Sequence, residues 1–223
     1  MAGFEKEVLA CVSKGRVFVI QAETGSGKTT QIPQILFKYF GSKIAKDQAF
    51  NIVVTQPRRV VCIQLAARVQ AELRQNMLQS GLQRYADRKY VGYKVRFQQD
   101  LTEDTQVLFE TDGHLVQEIA LAQDAAAYLD GVDFLVVDEA HEHSTPTDLL
   151  FGLLKKTMAR TKTRVVVMSA TIDAPQYVAY LGQGSVLKVP GRLFDVETRY
   201  MVPGPLEAER ERTPEERVCF VKA

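Results

Sequence analysis

Short apolar runs alternate along this chain with longer segments whose apolar residues recur every three or four positions. "VFVIQA" (17–22), "NIVVTQ" (51–56), "TQVLFET" (105–111), "FLVVDE" (134–139) and "RVVVMSA" (164–170) are rich in β-branched residues and mostly apolar at successive positions. Strands buried on both faces look like this, because a parallel sheet covered by helices leaves no polar face. "KTTQIPQILFKYF", "RRVVCIQLAARVQAELRQNML", "GHLVQEIALAQDAAAYL" and "PTDLLFGLLKKTMAR" lie between the strands with helical spacing. The alternation predicts an α/β domain with a mostly parallel, doubly wound sheet and helices on both faces. "YVGYKVRF" (90–97) alternates with polar residues, which predicts an edge or hairpin element. Further on, "SVLKVP" (185–190) and "GRLFDVETRYMV" are strand-like. In the Pro-, Glu- and Arg-rich tail, Thr213-Pro214 has the form of a helix start. Ligands of such sheets sit beyond the carboxyl ends of the strands, and the chemically informative residues fall just there.

Composition narrows little. Hydrophobic content of 46% and charged content of 25% fit a domain with a substantial core. A net charge of +1, from 28 basic and 27 acidic side chains, leaves any nucleic-acid reading to local motifs. Cys11, Cys62 and Cys219 form no C-x-x-C, so a disulfide framework or cysteine zinc site is disfavoured and Cys11 and Cys62 read as buried, inert thiols. No apolar run approaches a membrane span, and "MAGFEKEVLACV" lacks the form of a secretory signal.

The first strand runs into "AETGSGKTT" and then a helix. This is the phosphate-binding spacing, with Ala22 standing where the first glycine is usual. Glu23, Thr24, Gly25, Ser26, Gly27, Lys28, Thr29 and Thr30 are the candidate nucleotide contacts. Glycine lets backbone N–H groups approach phosphate oxygens, the helix N-terminus favours an anion, Lys28 neutralises it, and the Thr29 hydroxyl suits Mg²⁺. A second strand must bring an acid to the metal. "FLVVDE" does so, with Asp138 on the metal side and Glu139 placed to polarise water. A zinc site built from His141 and His143 is the rival for "DEAHEH". It lacks the i, i+4 pair of a zinc helix, and only His114 remains as a third imidazole.

With both strings placed, the chain resembles the DEAH-box RNA helicases of superfamily 2 over about residues 8–202. "AETGSGKTTQIPQ", "TQPRRV", "VGYKVRF", "TDGHL", "DEAHE", "SAT" and "VPGRLFDVE" resemble that family's ordered motifs. The resemblance implies a RecA-like P-loop domain over 1–195. Residues 196–223 would then begin, or lead into, a second RecA-like domain absent from this sequence, as are the C-terminal domains. It implies RNA-stimulated hydrolysis of ATP or another nucleoside triphosphate with Mg²⁺, coupled to 3′-to-5′ movement on single-stranded RNA. It further implies His141 at the seam with the second domain, and Ser169 and Thr171 coupling hydrolysis to closure through hydrogen bonds. Arg68 would stack on the nucleotide base, with a solvated surface arginine as the bland alternative. A protein activator and a nuclear or cytoplasmic setting, organelles included, are compatible.

For RNA, Arg58 and Arg59 precede a helix N-terminus, Arg96 follows a strand, and Thr111, Asp112 and Gly113 open another helix. Phe97 reads as core, and His114 as a surface group at a helix start. His143 stands where the family usually has arginine. The rival functions are a P-loop switch without unwinding activity and a DNA or viral helicase of the same superfamily.

Overall fold

The computed structural model describes residues 2–41, 50–170, 174–182, 184–190, 197–199 and 220–222. After a 3₁₀ turn at Ala2–Phe4, the elements are α1 (Glu5–Lys14), β1 (Val17–Ala22), α2 (Lys28–Gly41), β2 (Ile52–Gln56), α3 (Arg59–Gln79) and α4 (Gln83–Ala86). Then come β3 (Val91–Val95), β4 (Gln98–Asp100), β5 (Val107–Thr111), α5 (Asp112–Leu121), α6 (Ala125–Asp130) and β6 (Phe134–Val137). The series ends with α7 (Thr145–Thr157), β7 (Arg164–Ser169), α8 (Ala174–Leu181) and β8 (Gly184–Val189). The eight strands form one sheet in the order β4-β3-β5-β2-β6-β7-β1-β8. Every neighbouring pair is parallel except β3–β4.

Successive side chains of a strand leave opposite faces, and here both faces are buried. Phe18 and Ile20 of β1 join α1, α2 and α3 residues such as Val12, Ile32 and Val69 in one core layer. Val17 and Val19 join Leu115, Leu129, Leu150 and Leu181 of α5–α8 in the other. The apolar runs are continuous for that reason, and the expected three-layer architecture holds.

Three local expectations change. The single helix expected over 113–129 is broken, because the Asp124 side chain accepts from the Ala126 N–H at 2.9 Å and starts α6 as a new N-cap. "YVGYKVRF" forms the expected hairpin with β4, but Phe97 is not core. It sits in the two-residue hairpin turn at φ +67° and is 88% exposed. Cys62 is buried, its thiol pushed up to about 12 by burial, whereas Cys11 is only half-buried. Among the described residues no helix is long and apolar enough to cross a membrane.

Gly92 is required by close approach. A Cβ there would lie 2.5 Å from the Asp100 carbonyl oxygen. Gly92→Ala is therefore expected to displace β4 and cost about 1–3 kcal/mol, read as a lower urea midpoint at unchanged m-value.

The chain separates into two compact units, Met1–Gly191 and Arg192–Ala223. In the second, β9 (Glu197–Arg199) pairs antiparallel with β10 (Phe220–Lys222). The helix start expected at Thr213 lies outside the described residues.

Candidate active site

The carboxyl ends of β1, β6 and β7 lie together, since the three strands are neighbours or next neighbours in one parallel array. From β1 the chain turns through Glu23–Gly27 into α2. Ala22 remains in the strand without a left-handed backbone, so alanine serves where glycine is usual. Gly25 and Gly27 both have φ +80°, a region that L side chains rarely enter. Ser26 N–H closes the turn on the Glu23 carbonyl at 3.2 Å, and Gln31 N–H bonds the Gly27 carbonyl at 2.9 Å to begin the helix. Glu23, Thr24 and Gly25 form the exposed crest. Lys28 is 3% exposed beneath it.

β6 delivers the acids. Asp138 is fully buried and accepts three hydrogen bonds: from the Thr29 hydroxyl and Gln56 Nε2 on Oδ2, and from Glu139 N–H on Oδ1 at 2.9 Å. Burial pushes its carboxyl up to about 6. The Thr29 bond and the Lys28 charge oppose that shift, and the neighbouring Glu139 charge adds to it. Glu139 itself is left-handed, at φ +50°. Its Oε1 accepts from Lys28 Nζ at 3.0 Å, and its Oε2 lies 3.5 Å from His141 Nε2. His141 Nδ1 accepts from Ala170 N–H at 3.3 Å, which puts the imidazole proton on Nε2, facing Glu139. One chain of contacts thus runs from the phosphate-binding loop through both acids to the end of β7.

The two imidazoles of "DEAHEH" diverge. His143 (φ +47°) stacks on Tyr177 at 6.4 Å between centroids, with Nδ1 3.7 Å from Asp148 Oδ1. Tyr177 also donates to the Ala140 carbonyl at 2.9 Å and anchors the turn.

The loop fits a polyphosphate. The Ser26 hydroxyl is buried without a partner, and Lys28, with three donors, spends one on Glu139. Thr29 and Asp138 supply adjacent hard oxygens of the kind Mg²⁺ prefers. Thr30 is 5% exposed, and its hydroxyl donates to the Gly27 carbonyl at 3.3 Å, closing the first helical turn.

The DEAD/DEAH box helicase family model matches residues 4–178. The chain belongs to the DEAD/DEAH box helicase family. It is 36% identical over 201 residues to a Mycosarcoma maydis protein provisionally named DEAH-box ATP-dependent helicase, covering 90% of this chain and 13% of that protein. It is 38% identical over 200 residues to a Saccharomyces cerevisiae protein provisionally named ATP-dependent RNA helicase DHR2, covering 88% of this chain and 25% of that one. The chain therefore spans a quarter or less of the length of these relatives.

The residues expected to contact RNA lie at the neighbouring carboxyl ends of β2, β5 and β3, whereas Arg68 is on α3 and Ser169 ends β7. Arg58 is exposed and its Nη2 meets Glu142 Oε1 at 3.0 Å, tying the start of α3 to the acidic turn. Arg59 is exposed beside it. Arg96 stands at the hairpin tip, its guanidinium 4.8 Å from the centroid of the exposed Phe97 ring. Thr111 and Asp112 point inward instead, 9% and 1% exposed. Asp112 accepts from the Thr147 hydroxyl at 2.5 Å, so its side chain pins α5 to α7, and this turn presents only backbone and Gly113. Arg68 is exposed and pairs with Glu72 at 2.9 Å, the carboxylate that also accepts from Gln31 and Gln34 of α2. Ser169 is buried at the end of β7, and Thr171 lies outside the described residues. His114 is not a surface group: it is half-buried, with Nδ1 2.6 Å from Glu110 Oε1.

Gln56 and Glu142 fall inside "TQPRRV" and "DEAHE" but are not among the site residues expected from the sequence. Gln56 donates to Asp138 and Glu142 pairs with Arg58, contacts that neighbouring strand ends bring about.

Proposed function

We propose that this chain is the ATP-binding motor domain of a DEAH-box RNA helicase, hydrolysing a nucleoside triphosphate with Mg²⁺ while gripping single-stranded RNA. The observation that carries the reading is the paired contact Lys28–Glu139 and Thr29–Asp138, which joins the phosphate-binding loop to the acidic strand end. Thr29 and Asp138, the latter partly through water, would hold Mg²⁺, which would neutralise charge on the phosphates. Lys28 directs its remaining donors at phosphate oxygens. Glu139, oriented by Lys28 and His141, accepts a proton from the attacking water. Arg68 stacks on the base. Arg58, Arg59 and Arg96 hold RNA phosphates, with Phe97 offering a ring to a base and the Gly113 turn a backbone contact. Ser169, Thr171 and His141 transmit closure of a second RecA-like domain, which would add the charge-stabilising arginine. Movement toward the 5′ end, C-terminal domains, a protein activator and a nuclear or cytoplasmic setting belong to the same proposal.

The test is Mg²⁺-dependent ATP hydrolysis by the longer protein, with and without single-stranded RNA. Turnover is expected to rise with RNA, and Arg58→Ala is expected to reduce the slope of log affinity against log salt by about 1. Hydrolysis indifferent to both RNA and DNA would instead support a nucleotide switch, and stimulation by DNA alone a DNA helicase.

A further inference from the structure

Beside the Gly113 turn lies a charged cluster that neither nucleotide binding nor the exposed arginines use. Glu110, near the end of β5, is fully buried, and its Oε2 has no hydrogen-bond partner. His114 and Glu118 follow at successive i, i+4 positions on one face of α5. His114 Nδ1 lies 2.6 Å from Glu110 Oε1 and 4.0 Å from Glu118 Oε2. Lys94 of β3 pairs with Glu118 Oε1, and the Tyr128 hydroxyl of α6 donates to Glu118 Oε2 at 2.7 Å. The Cys62 thiol of α3 feels both Glu110 and Asp112, and Asp112 in turn feels the Glu142 charge.

Charge counting sets what is missing. Two carboxylates face one ammonium and one imidazole, so with a neutral imidazole the cluster is one positive charge short, in a place where an uncompensated charge is costly. One proton closes the deficit. A divalent ion also finds ligands here, since one donor atom from each of Glu110, His114 and Glu118 lies within 4.8 Å of the others. With Lys94 already on Glu118, however, a dication overshoots by one charge.

We propose that Glu110, His114 and Glu118 hold one shared proton that latches the first turn of α5, so that RNA affinity at this edge falls as the proton leaves. The latch rests on the RNA-facing reading of that edge given above. Burial, then the Glu118 charge, pushes the Glu110 carboxyl up to about 8, within reach of modest alkalinity. When the proton goes, Glu110 and Glu118 repel, with Glu110 fully buried. Relief comes by opening the β5–α5 junction, which carries Gly113 and, through Asp112–Thr147, the start of α7.

The test compares the chain with Glu110→Gln, which keeps the shape of the protonated carboxyl, by amide hydrogen exchange over residues 110–118 between pH 6.5 and 9 in EDTA. Taken against the variant at the same pH, wild-type exchange is expected to rise about tenfold from pH 7 to 9, as the deprotonated fraction does for a group titrating near 8. Lys94→Met, which removes the compensating charge, is expected to move the rise to higher pH; a merely structural lysine would leave its midpoint in place. A flat exchange ratio overturns the latch, as does protection restored at pH 9 by Zn²⁺ and lost in His114→Ala, which would make the cluster a metal site. Affinity for a labelled oligouridine is measured in parallel and is expected to weaken several-fold over the same range in wild type only. If exchange rises while no RNA binds at any pH, the RNA reading of the edge fails and the latch on α5 stands. If RNA binds but its affinity ignores the exchange transition, the proposed control of RNA is overturned.

Discussion

Glu139→Gln, which removes the proposed general base, is expected to lower single-turnover ATP hydrolysis by about 10²–10⁴-fold, the range that a positioned general base contributes, while nucleotide affinity stays within a few-fold. The geometry separates the two effects. Glu139 bonds the phosphate-binding loop through Lys28, at 3.0 Å. A glutamine oxygen can still accept that bond, so Lys28 keeps its position beneath the loop. What is lost is the carboxylate proposed to take a proton from water, set at a left-handed position and faced by His141 Nε2. The check is hydrolysis under single turnover beside binding of a fluorescent nucleotide. Hydrolysis within tenfold of wild type would remove Glu139 from the reaction. Loss of binding together with hydrolysis would make it a structural support of the loop.

Some of this site could be read from the sequence because the chemistry demands local strings. Phosphate binding needs glycines, a lysine and a hydroxyl within a single strand-to-helix turn, so its signal is contiguous. Strands buried on both faces are equally legible, since every position must be apolar. What escaped depends on partners far apart in the chain. Gln56 reaches Asp138 because β2 and β6 are neighbours in the sheet. Asp112 faces inward because Thr147 of α7 lies opposite it. Phe97 shows the limit of counting apolar residues: burial depends on where the hairpin turns, and a two-residue turn at φ +67° faces its side chain outward. His114 shows the same limit for polar ones. Its i, i+4 spacing with Glu110 and Glu118 is visible in the sequence, but its meaning comes from Lys94 and Tyr128 on other elements.

Asp138→Asn is expected to raise the thermal stability of the metal- and nucleotide-free chain at pH 7.5, although it removes the carboxylate proposed to serve the metal. The Asp138 carboxyl is pushed up to about 6, above the ordinary aspartate range, chiefly because it is fully buried. A raised folded value means that the native state binds the proton more tightly than the unfolded chain does. The associated stability is complete below about pH 4 and is lost as pH rises through about 6. At pH 7.5 the ionised carboxylate therefore costs the fold on the order of 2–3 kcal/mol, even with three donors on it. Asparagine escapes that cost. The Thr29 hydroxyl can turn to accept, and the Gln56 amide can flip to match the new NH₂ group. Several degrees of added midpoint are expected in EDTA at pH 7.5, shrinking toward zero near pH 4. Mg²⁺ with nucleotide at about a hundred times its Kd should return ~2.7 kcal/mol to wild type and less to the variant, narrowing or reversing the order. A variant no more stable than wild type in EDTA, or one whose advantage persists unchanged at pH 4, would show that the donors around Asp138 already offset its burial. The acid would then be no burden to the fold, and its place at the end of β6 could be explained by packing as well as by chemistry.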